Sequence, residues 1–314
     1  MTKHAEYLWW NGKIVPWSDA CVHVTTLGWS TMSAVFEGIK AYWNDQQQEL
    51  YALQPREHYE RFVQSMRLQR MTTDWNVVDL VDASLELLRA NSAKRDTYVR
   101  PIAYFGEATW FSTYAESPTH VCIWTTPFEA MLGSNRTVKA GVSSWTRLSD
   151  NMMSPRVKCI SNYQNSRLAL VEAIRHGYDL PILLNDQQKV TEGPAACVFI
   201  VRGGAVITPS ITSGILESVT RKTLLQMCAE DLAIPADERE IDRSELYVAE
   251  EIFFCGTGAE IQPVSEVDGY RVGDGRIGPL TRRIEAAYHD MVRGRSPHMH
   301  WRSPVYGTVA AGAR

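Results

Sequence analysis

The sequence has no apolar run approaching the length of a membrane span, no C-x-x-C pair among its six cysteines, and no block of like charge. Each absence removes a class of protein. Without about 20 consecutive apolar residues there is no transmembrane helix. Cys21, Cys122, Cys159, Cys197, Cys228 and Cys255 are widely scattered, and Met1 to Trp10 has no apolar signal core, so they read as free thiols of a cytoplasmic protein rather than a disulfide framework. With 32 basic and 36 acidic residues, a formal charge of -4, there is no electrostatic footprint for nucleic acid. A small-molecule ligand is the expectation. The G-x-S-x-G elbow, the Walker loop and H-E-x-x-H are all missing, so the usual hydrolase, nucleotide and zinc-protease routes have no support.

Two patterns imitate sites. Gly273-Asp274-Gly275-Arg276-Ile277-Gly278 has the spacing of a dinucleotide fingerprint, but the helix after it runs toward the chain end and His298 stands where an acidic residue is required. It reads as a turn ahead of a helix opened by Pro279. His298 and His300 lack a third ligand and a rigid surround, so no metal site is expected.

The 314 residues, 45% hydrophobic, suit two domains. Asn11-Gly12 between Tyr7–Trp10 and Lys13–Trp17 predicts a hairpin, since this pair tolerates positive φ. Arg56–Arg70 and Asn76–Ala90 carry helical spacing, the second through Val77, Leu80, Val81, Leu85 and Leu88. Tyr98–Phe105 and His120–Thr125 have strand character. After a Pro- and Gly-bearing stretch come a strand at Val138–Ser144, a helix at Asn162–His176, a buried strand at Ile182–Leu184, a hairpin about Gly203-Gly204 and a helix at Thr220–Leu232. The fold class is α+β (mixed α/β). The boundaries read as a small α/β domain over 1–125, a linker over 126–134, a large domain over 135–296, and a weakly ordered tail over 297–314.

The informative chemistry begins at Lys158, which stands just ahead of a helix. Alone it would be a solvated charge. Tyr163 follows five residues on, and Thr191-Glu192-Gly193 comes after a strand and turn. An amine, a phenol and a carboxylate could surround a pyridine ring as imine former, partner of the ring hydroxyl and partner of the ring nitrogen. That set suits pyridoxal 5′-phosphate.

Separated motifs then agree in order: Val35-Phe36-Glu37-Gly38-Ile39, Arg56-Glu57-His58, Tyr98-Val99-Arg100-Pro101, Val142-Ser143-Ser144-Trp145, Asn162-Tyr163, Val219-Thr220-Arg221 and Gly256-Thr257-Gly258-Ala259-Glu260-Ile261. With them the chain resembles the class-IV (fold type IV) pyridoxal-phosphate aminotransferases, in pattern the branched-chain-amino-acid group. The resemblance implies a D-amino acid aminotransferase-like fold, with the small domain joined to a larger pseudo-barrel, and a homodimer or higher homo-oligomer with active sites at a subunit interface. It implies that Lys158 is the imine lysine and proton shuttle, Glu192 the partner of the pyridine nitrogen and Tyr163 that of the ring oxygen. Arg61, the Val219 and Thr220 amides and the Thr257 hydroxyl would hold phosphate. Arg100 with Tyr98, and the Gly258 and Ala259 amides, would receive substrate carboxylates, while Phe36, Thr31, Trp110 and Met131 would wall the side-chain pocket. The expected reaction moves the amino group of a branched-chain-like, hydrophobic or aromatic L-amino acid to a 2-oxo acid such as 2-oxoglutarate, in amino-acid biosynthesis. A lyase of the same fold, aminodeoxychorismate-lyase-like, and an (R)-amine or D-amino acid transaminase are the alternatives. Ser30-Thr31-Met32 departs from the family's His-Tyr-Gly, Lys40 replaces its usual Arg, and Trp110-Phe111 add bulk, which reshapes the pocket rather than the cofactor chemistry.

Overall fold

Asn11 (φ 47°) and Gly12 (φ 90°) adopt the left-handed conformation expected of their turn, and β1 (Tyr7–Trp10) and β2 (Lys13–Pro16) pair across it from Trp10↔Lys13 to Tyr7↔Pro16. The hairpin belongs to the first of two compact units in a computed structural model that describes residues 4–107, 117–295 and 298–307. Trp110 and Phe111 lie outside the described residues.

The first unit takes the chain up to Ala130, the short segment Val157–Ser161 and the chain from Asp290. It contains α1 (Val24–Met32), β3 (Val35–Phe36), β4 (Ile39–Asn44), β5 (Glu49–Leu53), α2 (Pro55–Leu68), α3 (Val77–Ala90), β6 (Thr97–Phe105) and β7 (Thr119–Pro127). All strand pairs are antiparallel, in the order β5-β4-β6-β7-β1-β2 with β3 beside β6. Side chains alternate across a strand, so β6 divides cleanly. Val99, Ala103 and Phe105 join the core with Tyr59, Phe62 and Met66 of α2 and Leu80, Leu87 and Leu88 of α3. Tyr98, Arg100, Ile102 and Tyr104 take the other face. Burying each such Leu or Phe side chain stabilises the unit by about 1.5–3 kcal/mol. α3 starts where its sequence dictates: Asn76 accepts from Val78 and Asp79 N–H while Asp79 reaches back to Asn76 N–H, a reciprocal cap.

Within the tail, residues 298–307 depart from the weak order the composition suggests, and 308–314 lie outside the described residues. Trp301 is buried, Arg302–Pro304 form an edge strand antiparallel to β5, and the Glu49 carboxylate accepts from Val305, Tyr306 and Gly307 N–H at 3.0, 2.9 and 2.6 Å. One indole and one carboxylate supply the anchoring that a Gly- and Ala-rich composition hides.

The second unit takes Met131–Arg156 and Asn162–His289. It contains β8 (Val138–Thr146), α4 (Asn162–Arg175), β9 (Leu180–Leu184), β10 (Cys197–Arg202), β11 (Ala205–Thr208), α5 (Val219–Glu230), β12 (Ala236–Glu238), β13 (Glu251–Gly256), β14 (Glu260–Val267), β15 (Tyr270–Arg271) and α6 (Pro279–Val292), whose residues from Asp290 group with the first unit. Its sheet runs β12-β11-β10-β13-β14-β8-β9, with β15 beside β14. The pairs β11/β12, β14/β8 and β8/β9 are parallel and the rest antiparallel. β13 is buried at every position, as an apolar run covered on both faces should be. Gly203 and Gly204 both take positive φ in the β10–β11 turn, and Pro279 opens α6. Gly273 and Gly275 of the false fingerprint also take positive φ, in the turn leading to that helix.

The units do not follow the continuous cut at 126–134 drawn from composition. β7 runs through Pro127, and Val157–Ser161, which includes Lys158, groups with the first unit.

Candidate active site

In the first unit, helix α2 carries a buried polar cluster. Its apolar residues Tyr59, Phe62 and Met66 are buried at helical spacing, and beside them runs a second buried line, His58, Arg61 and Ser65. Residues three and four apart share a helix face, so these polar groups point together. They meet β3 and its extension. Arg61 Nε donates to Glu37 Oε1 at 2.6 Å and Nη2 to Glu37 Oε2 at 2.8 Å, while His58 Nδ1 lies 2.9 Å from Oε2. Ser65 Oγ accepts from Lys158 N–H at 3.1 Å.

These groups set one another's charge. Burial alone would push Glu37 up, yet the Arg61 charge and the hydrogen bonds from His58 and Arg61 outweigh it and hold the carboxyl far below the usual range. Burial pushes His58 down; the Glu37 bond opposes this, while the Arg61 and Lys158 charges reinforce it. His58 is therefore neutral at pH 7 and donates Nδ1–H to a carboxylate that two guanidinium nitrogens also grip.

Lys158 lies outside any helix or strand and is fixed through its backbone. Its carbonyl accepts from Phe36 N–H at 3.0 Å, Cys159 bridges Val35, and Ile160 N–H donates to Ala34 at 2.8 Å. Its Nζ stands 4.7 Å from the centre of the Phe36 ring. Phe36 is opposite Ile102 in the β3–β6 register, on the half-exposed face of β6. Along that face Arg100 is exposed, with its guanidinium carbon 4.8 Å from the Tyr98 ring centre. The Tyr98 phenol covers Gly38 so closely that no Cβ fits there. Lys40 Nζ lies 4.3 Å from the Phe128 ring, which meets Tyr42 and Tyr98 edge-on. Thr31 of α1 lines an apolar cleft of about 230 Å³ with Leu27, Ile102, Tyr104, Cys122 and Trp10.

The second unit holds the remaining predicted residues. Glu192 is 6% exposed, and its Oε1 receives Arg147 Nη2 at 2.6 Å while its Oε2 receives Leu216 N–H at 3.1 Å. Arg147 is aimed by its own N–H on Leu184 O and by Nε on Gly214 O; its Nη1 is buried without a hydrogen-bond partner among the described residues. A Cβ on Gly193 would lie 2.7 Å from Phe254. Tyr163, half-buried, is the second residue of α4, whose start is pinned by Asn162 Nδ2 on Ser154 O. Ser218 caps α5 by accepting from Arg221 N–H at 3.2 Å, so Val219 and Thr220 are the helix's first two residues and their N–H groups have no intrahelical acceptor. Thr257, Gly258 and Ala259 form the three-residue connection between β13 and β14, closed by Gly256↔Glu260. Met131 is 38% exposed.

Residues 34–267 match the model of the family described as amino-transferase class IV. The chain belongs to that family. It is 38% identical over 302 residues, 96% of this chain and 97% of the other, to a protein of Aquifex aeolicus named "Probable branched-chain-amino-acid aminotransferase". To the branched-chain-amino-acid aminotransferase of Escherichia coli K12 it is 36% identical over 299 residues, 94% of this chain and 96% of that one. The crystal structure of the branched-chain amino acid aminotransferase of Thermobaculum terrenum in its PLP form superposes with a TM-score of 0.94 at 42% identity, covering 96% of this chain and 99% of that one.

Residue reasoning assigned no role to Glu37, His58, Arg147 or Glu260. The His58/Arg61/Ser65 line, polar residues at helical spacing inside a buried stripe, was a readable signal for His58. No local pattern announces Arg147, because its partner lies 45 positions along the chain and the pair forms only when strands are laid side by side.

Proposed function

We propose that the chain is a pyridoxal 5′-phosphate-dependent aminotransferase that moves the amino group of a branched-chain or other hydrophobic L-amino acid to a 2-oxo acid such as 2-oxoglutarate. The observation that carries this reading is Lys158, fixed through its backbone beside Phe36 on the sheet face that bears Tyr98 and Arg100. The named activity of the relatives and the PLP form of the Thermobaculum structure support the same reaction.

The donor set fits the cofactor's chemistry. A buried guanidinium, a helix N-terminus and a hydroxyl suit a phosphate dianion, and a buried carboxylate suits a protonated pyridine nitrogen. When bound, pyridoxal phosphate supplies an electrophilic carbon for amines and a ring that accepts the electron pair left at the substrate Cα. Lys158 Nζ would hold that carbon and, as a free amine, would take and return the proton at the substrate Cα. Glu192 would accept the ring N–H, and Arg147 fixes the position of its side chain. Tyr163 donates to the ring oxygen. Arg61, the Val219 and Thr220 amides and the Thr257 hydroxyl bind phosphate, with Glu37 and His58 fixing the Arg61 fork. Arg100 with Tyr98 and the Gly258 and Ala259 amides bind substrate carboxylates. Phe36, Thr31, Met131 and Trp110 bound the side chain.

The working form is a homodimer or larger homo-oligomer in the cytoplasm. Val22, Val24, Leu27 and Met32, on or beside α1, are exposed, an apolar surface suited to a second copy. The six free cysteines agree with a reducing compartment.

Adding L-glutamate to the purified protein should convert its visible cofactor band to the near-ultraviolet band of the amino form, and 2-oxo acid should restore it. A protein that takes up no pyridoxal phosphate overturns the reading. Release of pyruvate-type products without amino transfer would assign the lyase reaction instead, and turnover confined to D-amino acids or (R)-amines the other alternative.

A further inference from the structure

Two buried carboxylates of the second unit grip three consecutive backbone amides. One oxygen of Glu260 accepts from Met131 N–H at 2.6 Å and from Leu132 N–H at 3.1 Å, and Glu285 Oε1 accepts from Gly133 N–H at 2.8 Å. Glu260 is wholly buried and Glu285 is 8% exposed. Charge-assisted bonds of this kind are about twice as strong as neutral ones, so the segment is held rather than merely covered.

The origin of the Glu260 side chain gives the grip its meaning. Glu260 pairs with Gly256 to close the β13–β14 connection, so its side chain departs directly from the turn made of Thr257, Gly258 and Ala259. Its backbone takes φ +56°, a left-handed conformation unfavourable to any residue with a Cβ. A glycine would relieve that strain and lose the carboxylate. A single carboxylate thus connects the turn that offers amides to a substrate carboxylate with the backbone that carries Met131.

We propose that Glu260 is a positioning residue for substrate selection, fixing the Met131 wall of the side-chain pocket at a set distance from the carboxylate-binding turn. Amino donors are then measured from their carboxylate end, and the enzyme discriminates by how far the side chain extends toward Met131. The inference rests on the assignment of Met131, Gly258 and Ala259 to the substrate given above. Glu285 supports the same wall from α6.

The test uses the cofactor-loaded enzyme and the variants Glu260→Gln and Glu260→Ala, each also combined with Met131→Ala. The cofactor's visible band and steady-state kinetics are recorded with L-leucine and with L-glutamate as donors. Expected for Glu260→Ala are an unaltered cofactor band and a change of at least tenfold in the leucine-to-glutamate ratio of kcat/KM, carried mostly by KM. Glu260→Gln, which keeps one acceptor oxygen, should change the ratio about threefold and decides the matter if the alanine variant does not fold. In the Met131→Ala background the same exchanges should move the ratio less than twofold. An unchanged ratio in folded, cofactor-loaded variants overturns the proposal, as does an equal change in both backgrounds. Failure of the wild-type chain to take up cofactor sinks the parent reading instead, and is seen before any variant is compared.

Discussion

Exchanging Arg147 for Met keeps most of the side-chain volume and removes the charge that pairs with Glu192. In the native chain Arg147 Nη2 stands 2.6 Å from Glu192 Oε1, with the two side chains 6% and 8% exposed. Water therefore cannot replace the lost partner, and only the Leu216 N–H remains on the carboxylate among the described residues. Breaking a buried pair from one side leaves an uncompensated charge and costs about 3–5 kcal/mol, whereas replacing both partners by apolar groups is often near neutral. Arg147→Met and Glu192→Leu should each destabilise the apoprotein by about 3–5 kcal/mol, and the double variant should cost no more than either single exchange, giving a coupling of at least about 3 kcal/mol. Urea unfolding followed by circular dichroism reads these values; cofactor is removed first so that ligand binding does not add to stability. A cost below about 1 kcal/mol for Arg147→Met, or additive losses in the double variant, would refute the view that these two residues form one buried electrostatic unit.

Acid should weaken the first unit in two stages. His58 is depressed below its ordinary 6.5 in the fold, so the unfolded chain binds the proton first and stability falls as pH drops from about 6.5 toward the folded value. Glu37 is held below its ordinary 4.5, so a second loss begins beneath that value. Melting temperatures from pH 8 to about 2 should show both, and His58→Gln should remove the first stage; an unchanged profile in that variant would exclude His58 as its source. Thr31→Tyr fills part of the cleft of about 230 Å³ beside Ile102 and Tyr104, and should lower kcat/KM for the largest hydrophobic donors about tenfold relative to small ones. An unaltered donor order would remove Thr31 from the pocket. Ser218→Ala deletes the α5 cap and should cost about 1 kcal/mol in unfolding while weakening phosphate binding, read by titrating pyridoxal phosphate into the apoprotein; loss of neither would mean the cap does not order this helix start.

Much of the fold was legible because local and tertiary preferences agree. The Asn11-Gly12 hairpin, the capped α3, the glycines of the β10–β11 turn and the Pro279 helix start each carry their own signal. The first residues of α5 were also readable as an anion-binding start. Less visible was α1, whose residues Val24 to Met32 have almost no amphipathic periodicity and leave Val24 and Leu27 exposed. The return of Val157–Ser161 to the first unit was illegible for a different reason. It depends on backbone bonds from Lys158 and Ile160 to a strand more than 120 residues earlier, which no spacing rule records. The same holds for the tail strand, ordered by Glu49 from 256 positions away. Motif residues such as Glu37 and Glu260 could be read as belonging to a pattern, but their work is to hold other groups, and that work exists only once strands and helices are assembled.

The central claim is that Lys158 carries the cofactor. Treating the holoenzyme with borohydride fixes the lysine-bound cofactor irreversibly, and mass mapping of proteolytic peptides then locates it. The account predicts a single phosphopyridoxyl label on the peptide containing Lys158 and none in Lys158→Ala. A label on Lys40 or any other lysine, or an unlabelled but active wild-type enzyme, would contradict it.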